Sequence, residues 1–209
     1  MNEISPLLCT AFAGTRQIAS GGLRHVALKA QESITRDNSA QVLIFDDATS
    51  EVVDVDLRGT PDELSQRLDE MEAHAGQDGE PVAADQGARK PGRPKLGVVA
   101  REVTLLPRHW DWLATQPGGA SVALRKLVEQ AKRANQDKDR LRVAQESAYR
   151  FMSAMAGNEP GFEEATRAFF AGDRERFEMQ VAPWPVDVGN HVKKLAGRAF
   201  EYAVAEPEA

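Results

Sequence analysis

The most concentrated chemical signal in the sequence is the stretch RKPGRPK, residues 89–95. Its four cations are Arg89, Lys90, Arg93 and Lys95, and the two prolines and the glycine between them disfavour a helix or a strand. Guanidinium and ammonium groups on an extended, hydrated backbone are suited to contact phosphates. The stretch therefore predicts contact with a nucleic acid.

The charge of the chain is divided by region, within a formal net charge of -6. Residues 1–88 carry 6 basic and 16 acidic side chains, residues 89–142 carry 13 and 5, and residues 143–209 carry 7 and 11. A basic block between two acidic segments indicates nucleic-acid contact. The alternative is that the block pairs with the acidic flanks of its own chain. Its Pro- and Gly-rich start favours the first interpretation, because cations there are expected to lie in solvent.

Residue types that carry enzyme chemistry are scattered along the chain. Cys9 is the single cysteine, which excludes an intramolecular disulfide and fits a reducing cytoplasm. Four carboxylates could meet across a hairpin and hold Mg²⁺ or Ca²⁺, although a hydrated sheet face is the simpler interpretation: Asp46, Asp47, Asp54 and Asp56. The histidines at positions 25, 74, 109 and 191 show no ligand spacing. We expect no catalytic residue, no metal, no cofactor and no enzymatic activity.

The elements around these residues begin with an α+β module, predicted over residues 1–74 in the order ββαββα. The strands are residues 8–14, 16–22, 41–47 and 51–57, and the first helix is LRHVALKAQESITR, whose apolar residues have helical spacing. A second helix is predicted from Thr60, because Thr60 and Glu63 have the spacing of a capping box around Pro61.

The rest of the chain is predicted as a flexible basic linker, residues 75–96, followed by a strand and a mostly helical C-terminal half, residues 97–204. The linker is poor in large apolar residues and rich in Gly, Pro and Asp. Five aromatic residues are expected in the helical core: Phe162, Phe169, Phe170, Phe177 and Trp184.

Residues 97–134 resemble the ribbon-helix-helix DNA-binding proteins. The likeness lies in the order strand, short helix, glycine turn and longer helix, with Leu106-Pro107 ending the strand and Gly119-Ala120-Ser121 beginning the second helix. It implies a homodimer whose paired strands enter the major groove, first-helix core residues Trp110 and Leu113, and a phosphate at Gly119 and Ser121. The alternative is an ordinary β-α-α piece of a larger core.

The strand that would enter the major groove can be placed in two alternative registers. One turns Arg101, Val103 and Leu105 outward, and the other turns Glu102 and Thr104 outward and buries the apolar residues, which packs better. The predicted DNA contacts of this region are Arg101, Glu102, Thr104, Gly119, Ser121, Arg125 and Lys126.

Residues 91–95, PGRPK, resemble the AT-hook, which lies extended in an A·T minor groove. In that likeness Gly92 permits close approach, Arg93 enters the groove, and Arg89, Lys90 and Lys95 contact phosphates. The alternative is a hydrated linker.

Across its length the sequence also resembles an uncharacterised bacterial family, the domain-of-unknown-function 2239 family, chiefly in residues 92–128 and 148–178. That resemblance implies a bacterial origin and supplies no activity. No apolar run approaches a membrane span.

These patterns predict a cytoplasmic, homodimeric DNA-binding protein, a transcriptional regulator that contacts DNA through residues 89–134. The N-terminal module would bind a protein partner or a ligand. The alternative is a protein-interaction adaptor or antitoxin-like protein that binds a partner without DNA contact.

Overall fold

The computed structural model describes residues 7–75 and 101–204, and its first element is an antiparallel sheet of three strands. The strands are β1 Leu8–Ala13, β2 Arg16–Gly22 and β3 Val42–Asp46, in the order β2-β1-β3. A tight turn at Gly14, with φ 57°, joins β1 to β2. The described helices are α1 Leu23–Arg36, α2 Pro61–Ala75, α3 Pro107–Ala114, α4 Gly119–Ala134, α5 Gln136–Ala156, α6 Phe162–Phe170, α7 Arg174–Val181 and α8 Val186–Val204. The predicted α+β class, a small sheet followed by a mostly helical chain, is confirmed.

The chain forms two units. Unit 1 consists of Met1–Ala73 and Asp137–Ala209, and unit 2 is His74–Gln136. This grouping differs from the sequence-based division into residues 1–74, 75–96 and 97–204. The physical reason is in unit 1, where the N-terminal strands and the C-terminal helices share a hydrophobic core.

Strand β1 is buried on both faces, and its alternating side chains divide the interior of unit 1. Cys9 and Ala11 belong to the cluster formed with α1 and α2, whereas Phe12 belongs to the cluster formed with the C-terminal helices. The Phe12 ring lies 5.3 Å from the ring of Phe151 and 5.5 Å from that of His191. The sheet is thus a layer between two sets of helices, because side chains alternate across a strand.

Helix α2 begins at the predicted capping box. The backbone N–H of Thr60 donates to Glu63 Oε2 at 2.8 Å, and the backbone N–H of Glu63 donates to Thr60 Oγ1 at 3.3 Å. Pro61 occupies the first helical position, where a missing N–H costs nothing. The sequence prediction of this helix start is therefore confirmed at the level of its hydrogen bonds.

Residues 51–57, predicted as a fourth strand, form one isolated bridge, between Phe45 and Val52. Beyond the bridge the chain turns toward α1, where the Gln31 side-chain amide donates to the carbonyl of Leu57 at 3.1 Å. The Leu57 carbonyl thus bonds to α1 rather than to a neighbouring strand. The predicted alternation survives, since three apolar side chains pack on the core between exposed carboxylates: Val53, Val55 and Leu57.

Helices α5 to α8 bury three of the five predicted core aromatics, Phe169, Phe177 and Trp184. The Trp184 indole N–H donates to the carbonyl of Pro160 at 2.9 Å. Phe162 is partly buried, and Phe170 is 50% exposed, so the prediction of a core position is wrong for Phe170. Adjacent residues of a helix point 100° apart, and burial of Phe169 turns Phe170 outward.

The loop after β3 is held against the C-terminal helices by hydrogen bonds. Ser50, with a left-handed φ of 54°, shares a buried hydrogen bond of 2.8 Å with Ser147 of α5. Arg150 donates to the carbonyl of Thr49, and Arg198 of α8 donates to the carbonyl of Asp47 at 2.8 Å. These bonds satisfy carbonyls of the loop and fix its position.

Candidate functional site

Unit 2 presents two helices joined by a glycine turn. Leu106 precedes α3 in an extended conformation, with φ -66° and ψ 148°, and Pro107 begins the helix. Gly118, which caps α4, and Gly119, its first residue, both have positive φ, 84° and 74°. A Cβ at Gly118 would lie 3.1 Å from Val122, so the turn requires glycine there for both conformation and space.

Unit 2 has little interior of its own among its described residues. Helix α3 buries Leu113, and α4 buries Ala123. Trp110, which the ribbon-helix-helix resemblance assigns to the core, is 41% exposed in the single chain. Six large apolar side chains of this unit are exposed: Val103, Leu106, Trp110, Trp112, Leu127 and Val128. A surface of this kind is typical of a contact with another macromolecule.

The predicted reading segment is not part of a strand in the single chain. Residues 101–106 have no regular structure, and Arg101, Glu102 and Thr104 are exposed. A strand of a two-fold ribbon forms only when its twin is present, so the pairing stays a prediction. The predicted contacts of the upstream arm, Arg89, Lys90, Arg93 and Lys95, lie outside the described residues.

The basic and the apolar side chains of α4 lie on opposite sides of the helix. Gly119 and Ser121 lie in its first turn, and Arg125 and Lys126 lie exposed one turn further on. With 3.6 residues per turn, the basic residues of α4 share one side of the helix, and Leu124, Leu127 and Ala131 share the opposite side. The sequence prediction omitted three exposed cations of unit 2, Arg108, Lys132 and Arg133. The spacing of seven residues from Arg125 to Lys132 could have revealed the continuation of the basic side.

The cations of unit 2 have no acidic partners among residues 101–136. None of its six lysines and arginines in that range takes part in an ion pair with a described residue: Arg101, Arg108, Arg125, Lys126, Lys132 and Arg133. The Arg125 guanidinium donates to the carbonyl and the hydroxyl of Ser121, one turn earlier in the same helix. By contrast, Arg140 and Arg142 of α5 pair locally with Asp137, Asp139 and Glu146. The basic surface of unit 2 is therefore open to an external anion.

Asp46 and Asp47, two of the four aspartates considered for a cation, have other partners. Asp46 Oδ1 accepts from the backbone N–H groups of Ala48 and Thr49 at 2.7 Å, which closes a turn. Asp47 Oδ1 accepts from the Thr10 hydroxyl at 2.6 Å. In the described part of the chain no group of His, Cys, Asp and Glu side chains is placed to hold a metal ion.

Unit 1 has, among its described residues, two buried titratable side chains with shifted pKa values, Cys9 in β1 and His191 in α8. Burial, with the nearby charges of Asp46 and Asp47, raises the pKa of the Cys9 thiol to about 11, so the thiol is protonated and unreactive at neutral pH. Burial also lowers the pKa of His191 to about 4, and the charges of Lys194 and Arg198 act in the same direction. The Cys9 thiol and the His191 imidazole are therefore not suited to nucleophilic or acid–base catalysis at pH 7.

A groove of about 770 Å³ lies between the β1–β2 turn and the C-terminal half of α1. Five charged residues line it, and of these Glu32 pairs with Lys29 at 2.9 Å and with Arg36 at 2.5 Å. The hydrogen bond from Lys29 and the charge of Arg36 lower the pKa of the exposed Glu32 carboxyl. Glu32 is therefore an ion-paired carboxylate rather than a free acid or base.

The described residues thus define an α+β protein with one unit built on a sheet and a hydrophobic core and one helical unit that carries unpaired cations. The chain belongs to a family described as an uncharacterized protein conserved in bacteria, DUF2239, whose model matches residues 8–196. The family resemblance predicted from residues 92–128 and 148–178 is confirmed, and the ribbon-helix-helix and AT-hook resemblances stay predictions. No curated protein and no solved structure matches the chain. None of the helices within residues 7–75 and 101–204 has an apolar stretch that could cross a membrane.

Proposed function

We propose that the protein is a homodimeric DNA-binding regulator that contacts DNA through residues 89–134. The observation that carries this proposal is the set of unpaired cations in unit 2. Charges that served the fold would be expected to meet carboxylates, as the arginines of α5 do. Those of α4 are exposed along one side of a helix, where phosphates could reach them.

The test is a gel-shift titration of the full chain against mixed duplex DNA at several salt concentrations. Each phosphate contact adds about 0.9 to the negative slope of log K against log salt, so affinity should fall steeply. Arg125→Gln with Lys126→Gln should weaken binding at least ten-fold and reduce the slope. The matched control is Arg167→Gln with Arg174→Gln, which removes the same charge from exposed helix positions of unit 1. Equal loss in both double variants, or no binding at low salt, would contradict the proposal.

The arm at residues 89–95 has its own test. If Arg93 enters a minor groove, Arg93→Ala should weaken binding to A·T-rich DNA more than to G·C-rich DNA. Lys95→Ala, a phosphate contact, should weaken both alike. If Arg93→Ala binds both DNAs with wild-type affinity, residues 89–95 do not enter the groove and are only a spacer.

The dimer part of the proposal concerns the apolar side of α4. Leu127 and Val128 are exposed there, and a twin copy would bury them across a two-fold axis. Leu127→Asp should therefore convert the dimer to a monomer in analytical ultracentrifugation. Met179→Asp is the control, because Met179 is also a large exposed apolar side chain but lies in unit 1. A wild-type monomer at micromolar concentration would exclude this mode.

A protein-interaction adaptor is the second candidate, and the exposed tryptophans favour it. Trp110 and Trp112 are 41% and 51% exposed, and tryptophan is enriched in protein interfaces. An adaptor with an acidic partner would explain the same cations. This candidate would be established instead if the protein is a monomer, does not bind DNA at low salt and binds an acidic protein through Trp112.

A further inference from the structure

A small cleft in unit 1 lies between the first turns of α5, the C-terminal half of α8 and the loop after β3. Its volume is about 190 Å³. Val143, Ala144 and Leu195 form an apolar wall, and Arg140, Arg198 and Tyr202 supply polar groups. It belongs to neither the basic surface of unit 2 nor the groove beside α1.

The cleft is positive because two guanidinium groups line it and no carboxylate does. The nearest acid along the loop, Asp47, accepts from Thr10 at 2.6 Å and lies 3.7 Å from Lys194. Arg198 makes no ion pair within the described chain, and its bond to the Asp47 carbonyl holds its guanidinium in place. Such a guanidinium has donors left for an anion.

Arg140 supplies the second positive charge. Its ion pair with Asp137 is long, 3.5 Å, and both side chains are more than half exposed, so the pair is weak. A buried or half-buried anion at the cleft would compete with Asp137 for this side chain. Two guanidinium groups can then meet one carboxylate, and the fork geometry of arginine fits that ligand.

The size and the wall define the rest of the ligand. Pockets for drug-sized molecules usually enclose about 300–1,000 Å³, so this cleft suits a ligand of a few heavy atoms. Its apolar wall gives a short hydrocarbon chain or a single ring a surface to cover. We propose that this cleft binds a small organic carboxylate, with the carboxylate at Arg140 and Arg198 and the hydrocarbon part on Val143, Ala144 and Leu195. The site goes beyond the proposed DNA contact and does not depend on it.

The proposal is tested by calorimetric titration of the full chain with sodium butyrate and sodium benzoate. Butyramide and benzamide, which have the same shape without the charge, serve as ligand controls, and sodium sulfate tests for an inorganic anion. Saturable binding of a carboxylate in the millimolar range, at least ten-fold tighter than its amide and than sulfate, is expected. Absence of carboxylate binding, equal binding of the amide, or equal binding of sulfate would overturn the proposal.

Variants locate the site. Arg140→Gln should weaken carboxylate binding at least ten-fold, and it should leave the fold intact because Arg140 is half exposed. Arg142→Gln is the matched control, since Arg142 lies on the same helix, carries the same charge and does not line the cleft. Tyr202→Phe provides a second variant that retains the ring. If Arg140→Gln and Arg142→Gln change binding equally, the carboxylate binds elsewhere and the assignment fails.

Discussion

His191 is the buried residue whose protonation most directly affects the fold. It is 5% exposed, and its ring lies 4.5 Å from that of Phe151. The groups that face it are Lys194 and Arg198 of α8 and Asp47 of the loop after β3. Burial and the two cations hold the imidazole neutral, so a proton bound there would lie among apolar rings and like charges.

We predict that acid destabilises the protein through His191. Its pKa is about 4 in the folded chain against 6.5 in the unfolded chain, so between these values the unfolded chain binds the extra proton. The contribution of neutral His191 to the free energy of unfolding should be fully present above pH 6.5. It should decline toward pH 4, by about 3 kcal/mol in all, at about 1.4 kcal/mol per pH unit. Urea unfolding followed by circular dichroism at several pH values measures this.

The variant His191→Phe should show a flatter dependence over that range, because an aromatic ring remains and the titrating group is gone. His25→Gln removes an exposed histidine of the same unit and should keep the wild-type dependence. An unchanged slope in His191→Phe would assign the acid sensitivity to other groups.

At the scale of the element, the start of α2 shows how far sequence reasoning can reach. A capping box is a local device, since Thr60 and Glu63 are three residues apart and bond only to each other's backbone. We predict that Thr60→Ala lowers the free energy of unfolding by about 1 kcal/mol. Glu63→Gln keeps a side-chain acceptor for the Thr60 N–H and should cost less. Equal costs would mean that the charge of Glu63 near the helix end stabilises this turn as much as the hydrogen bond to the Thr60 hydroxyl does.

Elements whose signals are local were predicted well, and elements whose partners are distant were not. The apolar spacing of α1 matches its buried side chains, and the alternation of Val53, Val55 and Leu57 matches the partly buried ones. The fourth strand was over-predicted because a distant contact, the hydrogen bond from Gln31 to the Leu57 carbonyl 26 residues downstream, draws the end of this segment to α1 rather than into a ladder.

The candidate surfaces divide in the same way. The basic side of α4 could be predicted, because its cations all lie in one helix and their spacing is visible in the sequence. The cleft beside α5 could not be predicted, because Arg140 and Arg198 stand 58 residues apart in sequence and only the fold brings them together.

At the scale of the whole molecule, Phe12 connects the N-terminal sheet to the C-terminal helices. It is fully buried, as is Phe45, and both pack against Phe151. We predict that residues 1–75 expressed alone do not fold, because this face of the sheet would be left without cover. Two-dimensional NMR of the fragment should show poorly dispersed amide signals.

The same interaction can be tested in the full chain. Phe12→Ala should lower the free energy of unfolding by about 3–5 kcal/mol, as expected for a large ring removed from a core. Phe170→Ala is the control, because Phe170 is half exposed, and it should cost far less. A well-dispersed spectrum for residues 1–75 would show that the sheet and its two helices suffice as an independent domain.

The interruption of unit 1 by unit 2 has a consequence during synthesis. Phe12 leaves the ribosome early, whereas its neighbour His191 follows 179 residues later. At about 5–20 residues per second, that interval lasts roughly 10–40 s. Unit 2 can complete its helices in that time, but the sheet must wait with an aromatic face uncovered. The nascent chain should therefore be a client of ribosome-associated chaperones from its first strand until α8 emerges.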